Sequence, residues 1–164
     1  MITQSDAHKV FAFLKRKISK SARDRFVVVG GVRRQKPLVK DLDFLTNIPL
    51  DEVANRLKLP TVKQTRKRLV IFVKVPHHKV KVHVDIDYSE NKCWGYALLH
   101  HTGNYMFNII IRHHAKDLGY KLNQYGLFYI KSGKAVKGSE RLKSERSILR
   151  FIGIEWHTPA EREK

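Results

Sequence analysis

Two stretches of this chain alternate apolar and ionisable residues one for one. In "DLDFL", Asp41 and Asp43 alternate with Leu42 and Phe44; in "VHVDIDY", Val82, Val84 and Ile86 alternate with His83, Asp85 and Asp87. Successive residues of a β-strand point to opposite faces, so each stretch is predicted to be a strand with one face in a core and the other carrying carboxylates. Asp41 and Asp43 then project on one side about 7 Å apart, and like charges held that close repel. If the two strands are neighbours, three or four carboxylates converge.

Two readings can offset that repulsion. In the first, the strand lies at a solvated edge and its aspartates meet lysine or arginine. In the second, the carboxylates hold metal: hard divalent cations such as Mg²⁺ take oxygen ligands, and aspartates leave positions for water and substrate phosphate. Two ions about 4 Å apart can activate an attacking hydroxyl and stabilise a leaving pyrophosphate. Gly30 and Gly31, at the end of the β-branched run "RFVVVGG", favour the second reading. Glycines at a strand end let backbone N–H groups approach a phosphate with no Cβ in the way. Arg33 and Arg34 follow at once and can neutralise a triphosphate bidentately.

The charge balance points to the same class of partner. The 164 residues carry 33 basic and 15 acidic side chains, a formal +18, spread along the length. Such a field favours a polyanion, and nucleic acid is the commonest one, because each neutralised phosphate releases counterions. A basic surface with no nucleic-acid role is the plain alternative. A membrane partner would want an amphipathic basic helix or an anchor, and neither stands out. With 42% hydrophobic residues the chain can bury a core. Cys93 is the single cysteine, so no intrachain disulfide or cysteine-cluster zinc site is expected. The pairs His77-His78, His100-His101 and His113-His114 point apart on strand or helix and do not suggest a histidine metal site. The opening "MITQSDAHKV" lacks the apolar core of a signal peptide, and no apolar run approaches the ~20 residues of a membrane span. A soluble, intracellular protein is the expectation.

Periodicity gives the order of elements. Residues 6 to 20 predict a helix with Val10, Phe11, Leu14 and Ile18 inward and Lys9, Lys15, Arg16, Lys17 and Lys20 outward. Strands follow at 25–31 and 41–45, then a short helix in "PLDEVANRLKLP" with Asp51 as candidate N-cap, then strands "RLVIFVKV" and "KVKVHVDIDY" joined across Pro76-His77-His78. After "SENK" the pattern turns helical, over roughly 92–101 and 105–118 with Gly119 as a C-cap candidate; a hairpin of "YGLFYI" and "KAV" around Ser132-Gly133 and a last helix "SERLKSERSILRFIG" complete it. Trp94 and Trp156 read as core anchors of this second half. The fold class expected is α+β: a mixed sheet with helices over 1–90 and a small, mostly helical lobe with a β-hairpin over 91–164.

A Gly-Gly turn after a strand, then Asp-x-Asp, then a later aspartate resembles the nucleotidyltransferase superfamily. The second half narrows the likeness. "HHTGNYMFNIIIRHHAKDLGYKLNQYGLF" (100–128) and "SILRFIGIEWHTPAERE" resemble the nucleotide-binding lobe and C-terminus of family X, polymerase-β-like DNA polymerases. The likeness covers nearly everything from residue 25 on, and is nearest to minimal virus-encoded members that have only palm and nucleotide-binding lobe, without lyase or DNA-clamp domains.

The resemblance implies roles residue by residue. Gly30, Gly31 and Arg34 correspond to the triphosphate-binding turn; Asp41, Asp43 and Asp85 to the catalytic metal triad, with Asp85 taking the primer 3′-hydroxyl proton. Asp85 rather than Asp87 lies at the family's spacing from Thr102-Gly103. His100, Thr102 and Gly103 correspond to the segment against the incoming sugar, Asn108 to a contact with the incoming base, and Arg112 to a contact with the templating nucleotide. Departures are Gly31 where a serine is common, His100-His101 in place of an aromatic pair, and Asp87 where a basic residue is common. With no separate clamp, Lys63, Arg66, Lys67, Arg68 and Lys81, together with Lys74, Lys79 and the first helix, are expected to hold DNA phosphates.

The reading that results is a monomeric, template-directed DNA polymerase. It would fill short gaps with two Mg²⁺ ions (Mn²⁺ substituting), a deoxynucleoside triphosphate and gapped or primer-template DNA, in cytoplasm, nucleus, virion or viral factory. A template-independent nucleotidyltransferase and a non-catalytic basic DNA-binding module are the alternatives.

Overall fold

The computed structural model describes residues 1–75 and 81–163. The expected connection at Pro76-His77-His78, and Lys79, lie outside the described residues. The chain divides into two compact units, Met1–Ser89 and Glu90–Lys164.

In the first unit, strand β1 (Ile2–Thr3) leads into helix α1 (Gln4–Ile18), which begins two residues before the sequence expectation because Thr3 caps it by accepting from Asp6 N–H. Ala7, Val10, Leu14 and Ile18 are its buried face, while Lys15, Arg16 and Lys17 lie in its last turn, where cations suit the helix dipole. Strand β2 (Phe26–Val28) runs into a one-turn helix α2 (Gly30–Arg33), where a plain turn was expected. Strands β3 (Leu38–Val39) and β4 (Leu42–Thr46) follow, β3 pairing only with β1.

Helix α3 (Leu50–Leu57) is entered through Pro49 with no side-chain cap, so Asp51 is a first-turn residue and not the N-cap. Its Arg56 donates to Asp24 Oδ2 at 3.0 Å and also reaches Glu52 and the Ile18 carbonyl, tying α3 to the end of α1. Backbone N–H from Lys20, together with Arg56, holds the Asp24 carboxyl down at about 2.

Strands β5 (Thr61–Gln64), β6 (Arg68–Lys74) and β7 (Lys81–Tyr88) complete a five-stranded sheet in the order β2-β4-β7-β6-β5. β5 was not foreseen: every one of its residues is exposed, so it has no apolar period to read. It is an edge strand, and its Lys63 is the sort of residue that discourages further pairing. Among the described residues, the pair β4–β7 is parallel and the other pairs of this sheet are antiparallel. One face of the sheet, with Leu42, Phe44, Leu69, Ile71, Val84 and Ile86, packs against α1 and α3 in a single core. Phe11, Phe26 and Phe44 stack there with ring centroids 5.0–5.9 Å apart.

The second unit opens with a 3-10 turn (Asn91–Cys93) and helix α4 (Trp94–Thr102), followed by α5 (Tyr105–Asp117). Gly119 lies just past α5 at φ +81°, which ends the helix as the sequence suggested. The expected hairpin is present as an antiparallel bridge between Phe128 and Ala135, with Tyr129 N–H donating to the Lys134 carbonyl and Val136 N–H to the Leu127 carbonyl; β8 (Tyr120–Asn123), which was not expected, pairs with the other edge of β9 (Gly126–Tyr129). The last helix is also shorter than expected. Ser139–Arg141 form a 3-10 turn, and α6 (Glu145–Phe151) starts afresh from a capping box on Ser144 and Ser147. Among the described residues no helix is long and apolar enough to cross a membrane.

The C-terminal segment is fastened from within. Arg162, 3% exposed, donates to Glu145 Oε1 at 2.8 Å and to the His157 carbonyl, and lies over the Phe107 and Trp156 rings. Removing one partner of a buried ion pair strands the other charge, at about 3–5 kcal/mol. Glu145→Ala should therefore destabilise the second unit by that order in urea unfolding. Tryptophan fluorescence follows this unit alone, because Trp94 and Trp156 are the chain's two tryptophans; an unchanged midpoint would contradict the assignment.

Candidate active site

The parallel pairing of β4 with β7 sets Asp43 opposite Asp85 and Leu45 opposite Asp87. All four point away from the core cluster, and neighbouring strands lie about 4.8 Å apart. Asp41 stands just before β4 and is exposed, so the Asp-x-Asp pair straddles the strand's first residue and does not lie wholly within it. Burial pushes the Asp43 carboxyl up to about 6, reinforced by the negative charges of Asp41, Asp85 and Asp87, with Arg68 opposing.

Arg68, at the start of β6, is the cation that the clustered carboxylates call for. Its Nε and Nη2 donate to the two oxygens of Asp87 at 2.8 and 2.9 Å, and its Nη1 lies 3.5 Å from Asp85 Oδ2. The sequence reading grouped Arg68 with the DNA contacts and left Asp87 without a partner. The cue was parity: in β6 and β7 both residues fall on the face opposite the core, but only the register, which pairs Arg68 with Asp87, brings them together. Lys63, Arg66 and Lys67 stay exposed on β5 and the β5–β6 turn, and Lys81 is exposed at the start of β7.

One guanidinium does not satisfy the cluster. Asp85 Oδ1 is buried and accepts no hydrogen bond from the described residues, His83 Nδ1 lying 3.6 Å away. Among the described residues no three His, Cys, Asp or Glu side chains are drawn together as a metal cage, the disposition expected of carboxylates that repel. A buried acceptor without a donor, beside a carboxyl whose charge is disfavoured, fits a hard cation held by Asp41, Asp43 and Asp85.

Gly30 has a tighter reason to be glycine than the sequence suggested. Its φ is +59°, and a Cβ there would stand 2.1 Å from Asp43 Oδ2. The Asp43 carboxylate thus rests in the space that the missing side chain leaves. Gly31 follows in α2, where a Cβ would meet Val39 Cγ1 at 3.0 Å. Arg34 caps the C-terminus of that turn and is half-buried.

The second unit gathers the other candidate residues. Thr102 is fully buried, Gly103 ends α4 at φ +70°, and the Gly103–Asn104 peptide is cis. Asn104 caps α5 by accepting from Phe107 N–H at 2.8 Å, and its amide donates to the Arg162 carbonyl. Asn108 Nδ2 donates to the His100 carbonyl at 2.8 Å, and Arg112 Nη2 donates to His100 Nδ1 at 2.7 Å. His100, Asn108 and Arg112 line one small cavity with Tyr96, Leu99 and Asn123. His101 packs edge-on to His100, and His114 donates to the Ile152 carbonyl.

Residues 97–163 match the family model for the DNA polymerase beta thumb. The repair DNA polymerase X of African swine fever virus is 27% identical over 146 aligned positions in one isolate, covering 83% of this chain and 80% of the relative. In another isolate it is 25% identical over 179 aligned positions, covering 99% of each. Polymerase beta of Leishmania infantum, solved as a ternary P/T complex, superimposes with a TM-score of 0.84 at 23% identity, covering 99% of this chain and 77% of that one.

The raised Asp43 pKa has a signed consequence for stability. A carboxyl that binds its proton more tightly in the folded chain contributes stability that is fully present below its ordinary value of 3.8 and is lost as pH rises through about 6. At about 1.4 kcal/mol per tenfold in proton affinity, the loss is on the order of 3 kcal/mol. In chelator, the stability of the wild-type chain relative to Asp43→Asn should fall by that order between about pH 4 and about pH 6.5. Parallel pH profiles would contradict the crowding.

Proposed function

We propose that this chain, which belongs to the family X, polymerase-β-like DNA polymerases, fills short gaps in damaged DNA by template-directed addition of nucleotides to a primer 3′-end. The observation that carries the reading is the parallel register that sets Asp43 against Asp85 and leaves Asp85 Oδ1 buried without a donor. An acidic site in a chain of formal charge +18 repels the very phosphates the rest of the surface attracts unless cations complete it.

Asp41, Asp43 and Asp85 would hold two divalent ions, Mg²⁺ being the hard cation that suits an all-carboxylate set. When bound, such ions lower the pKa of an attacking hydroxyl and neutralise the charge of a leaving pyrophosphate. The chain's own groups supply the rest. Asp85 Oδ1, with no competing hydrogen bond, is the acceptor for the 3′-hydroxyl proton as the oxygen bonds to the α-phosphorus and pyrophosphate departs. Arg68, anchored on Asp87, keeps the second Asp85 oxygen in place. Gly30, Gly31 and Arg34 are the binding turn for the triphosphate. His100, Thr102, Gly103 and Asn108 hold the sugar and base of the incoming nucleotide, with Arg112 placed on the same helix face to meet the templating base. Exposed lysines and arginines of β5, the β5–β6 turn and β7 grip duplex phosphates.

Asp85→Asn and Asp43→Asn should each reduce incorporation on a one-nucleotide gap below detection, with DNA affinity equal or slightly higher because negative charge is removed beside phosphate. Primer extension with and without a template strand checks both the assignment and the templating. Near-normal turnover in either variant sinks the metal ligands, and equal extension without template favours a template-independent transferase.

A further inference from the structure

Away from the core, the β6–β7 ladder presents four successive cross-strand pairs: Arg68 with Asp87, Val70 with Asp85, Phe72 with His83, and Lys74 with Lys81. The first two belong to the carboxylate cluster. The other two are hard to explain by folding alone. Phe72 is 42% exposed in mid-strand, its ring edge-on to His83 at 5.5 Å, and the His83 side chain is 40% exposed. Lys74 and Lys81 are both exposed and directly opposed, and like charges in that position destabilise a sheet. An uncovered aromatic pair beside a repelling lysine pair is what a nucleic-acid strand would cover, its bases stacking on the rings and its phosphates neutralising the ammonium groups.

The order along the ladder gives the strand its direction. Rungs on one face are spaced about 7 Å, so the aromatic pair is one step from Asp85 and the lysine pair two. A strand whose terminal hydroxyl is at Asp85 would lay its last nucleotide on the aromatic rung and its phosphates on the basic one.

We infer that Phe72, supported edge-on by His83, is a stacking platform for the base of the primer's 3′-terminal nucleotide, and that Lys74 and Lys81 hold phosphates of the same strand. The inference rests on the polymerase reading and adds to it a positioning residue for the primer end. Stacking of this kind is specific to the ring, not to apolarity, and an uncharged ring neutralises no phosphate, so it adds nothing to the salt slope.

The test uses the full chain and primer-template DNA with either a normal or an abasic 3′-terminal primer residue. Phe72→Leu and Phe72→Ala should each weaken binding of the normal primer about tenfold, and Phe72→Tyr should restore it. On the abasic-ended primer, wild type and both ring-less variants should bind alike. The salt slope should be unchanged in Phe72→Leu and smaller by about one in Lys74→Ala and in Lys81→Ala. Equal affinity of wild type and Phe72→Leu for the normal primer overturns the platform, as does an undiminished penalty on the abasic end. Template-dependent incorporation by the wild-type chain is measured alongside. Its absence defeats the polymerase reading, whereas incorporation together with an inert Phe72→Leu defeats only the platform.

Discussion

Asp43 and Asp85, set opposite each other by the parallel pairing of β4 with β7, are the constraint on which the site of the first unit depends. Two carboxylates on adjacent strands, half withdrawn from water, repel unless something positive is supplied. The structure supplies part of it. Arg68 commits two nitrogens to Asp87 and turns the third toward Asp85, and Gly30 gives up a side chain so that Asp43 can rest against the backbone. What is left over, a raised pKa at Asp43 and an Asp85 oxygen that accepts no hydrogen bond, with His83 Nδ1 3.6 Å away, is a demand that a divalent cation would meet.

The second unit solves a different problem, the orientation of one helix start. Asn104 caps α5 and also donates to the carbonyl of Arg162, whose guanidinium is buried on Glu145 between the Phe107 and Trp156 rings. The last residues of the chain therefore bear directly on the turn that places Asn108 and Arg112. Both of those side chains bond to His100, its carbonyl and its ring, so one residue at the end of α4 sets the resting position of the two candidate nucleotide contacts. His100 thus has a polar role, accepting through its carbonyl and through its ring nitrogen.

Much of this was legible in the sequence because strand period two is unambiguous where apolar and acidic residues alternate. Leu42 and Phe44, Val82, Val84 and Ile86 went to the core as read, and His83, Asp85 and Asp87 to the other face. The losses have physical causes. β5 is exposed on every residue and leaves no hydrophobic pattern. Gly30–Arg33 closes a helical turn that a glycine pair disguises as a loop. β8, the second partner of β9, went unread because "YKLN" carries one buried residue, Leu122, too few for an alternation. Arg68 looked like one more surface cation in a basic run, since a cross-strand partner depends on register, which local sequence does not encode.

The central claim is that the carboxylate face of β4 and β7 is a two-cation site assembled around nucleotide and primer. Titrating Mn²⁺ into the chain with primer-template and a non-hydrolysable nucleotide, and counting bound ions by electron paramagnetic resonance, tests it directly. The account predicts two tight ions per chain, release of a proton near pH 6 as the first displaces it from Asp43, and loss of tight binding in Asp43→Asn. A stoichiometry of zero, or tight binding unaltered by that substitution, would contradict it.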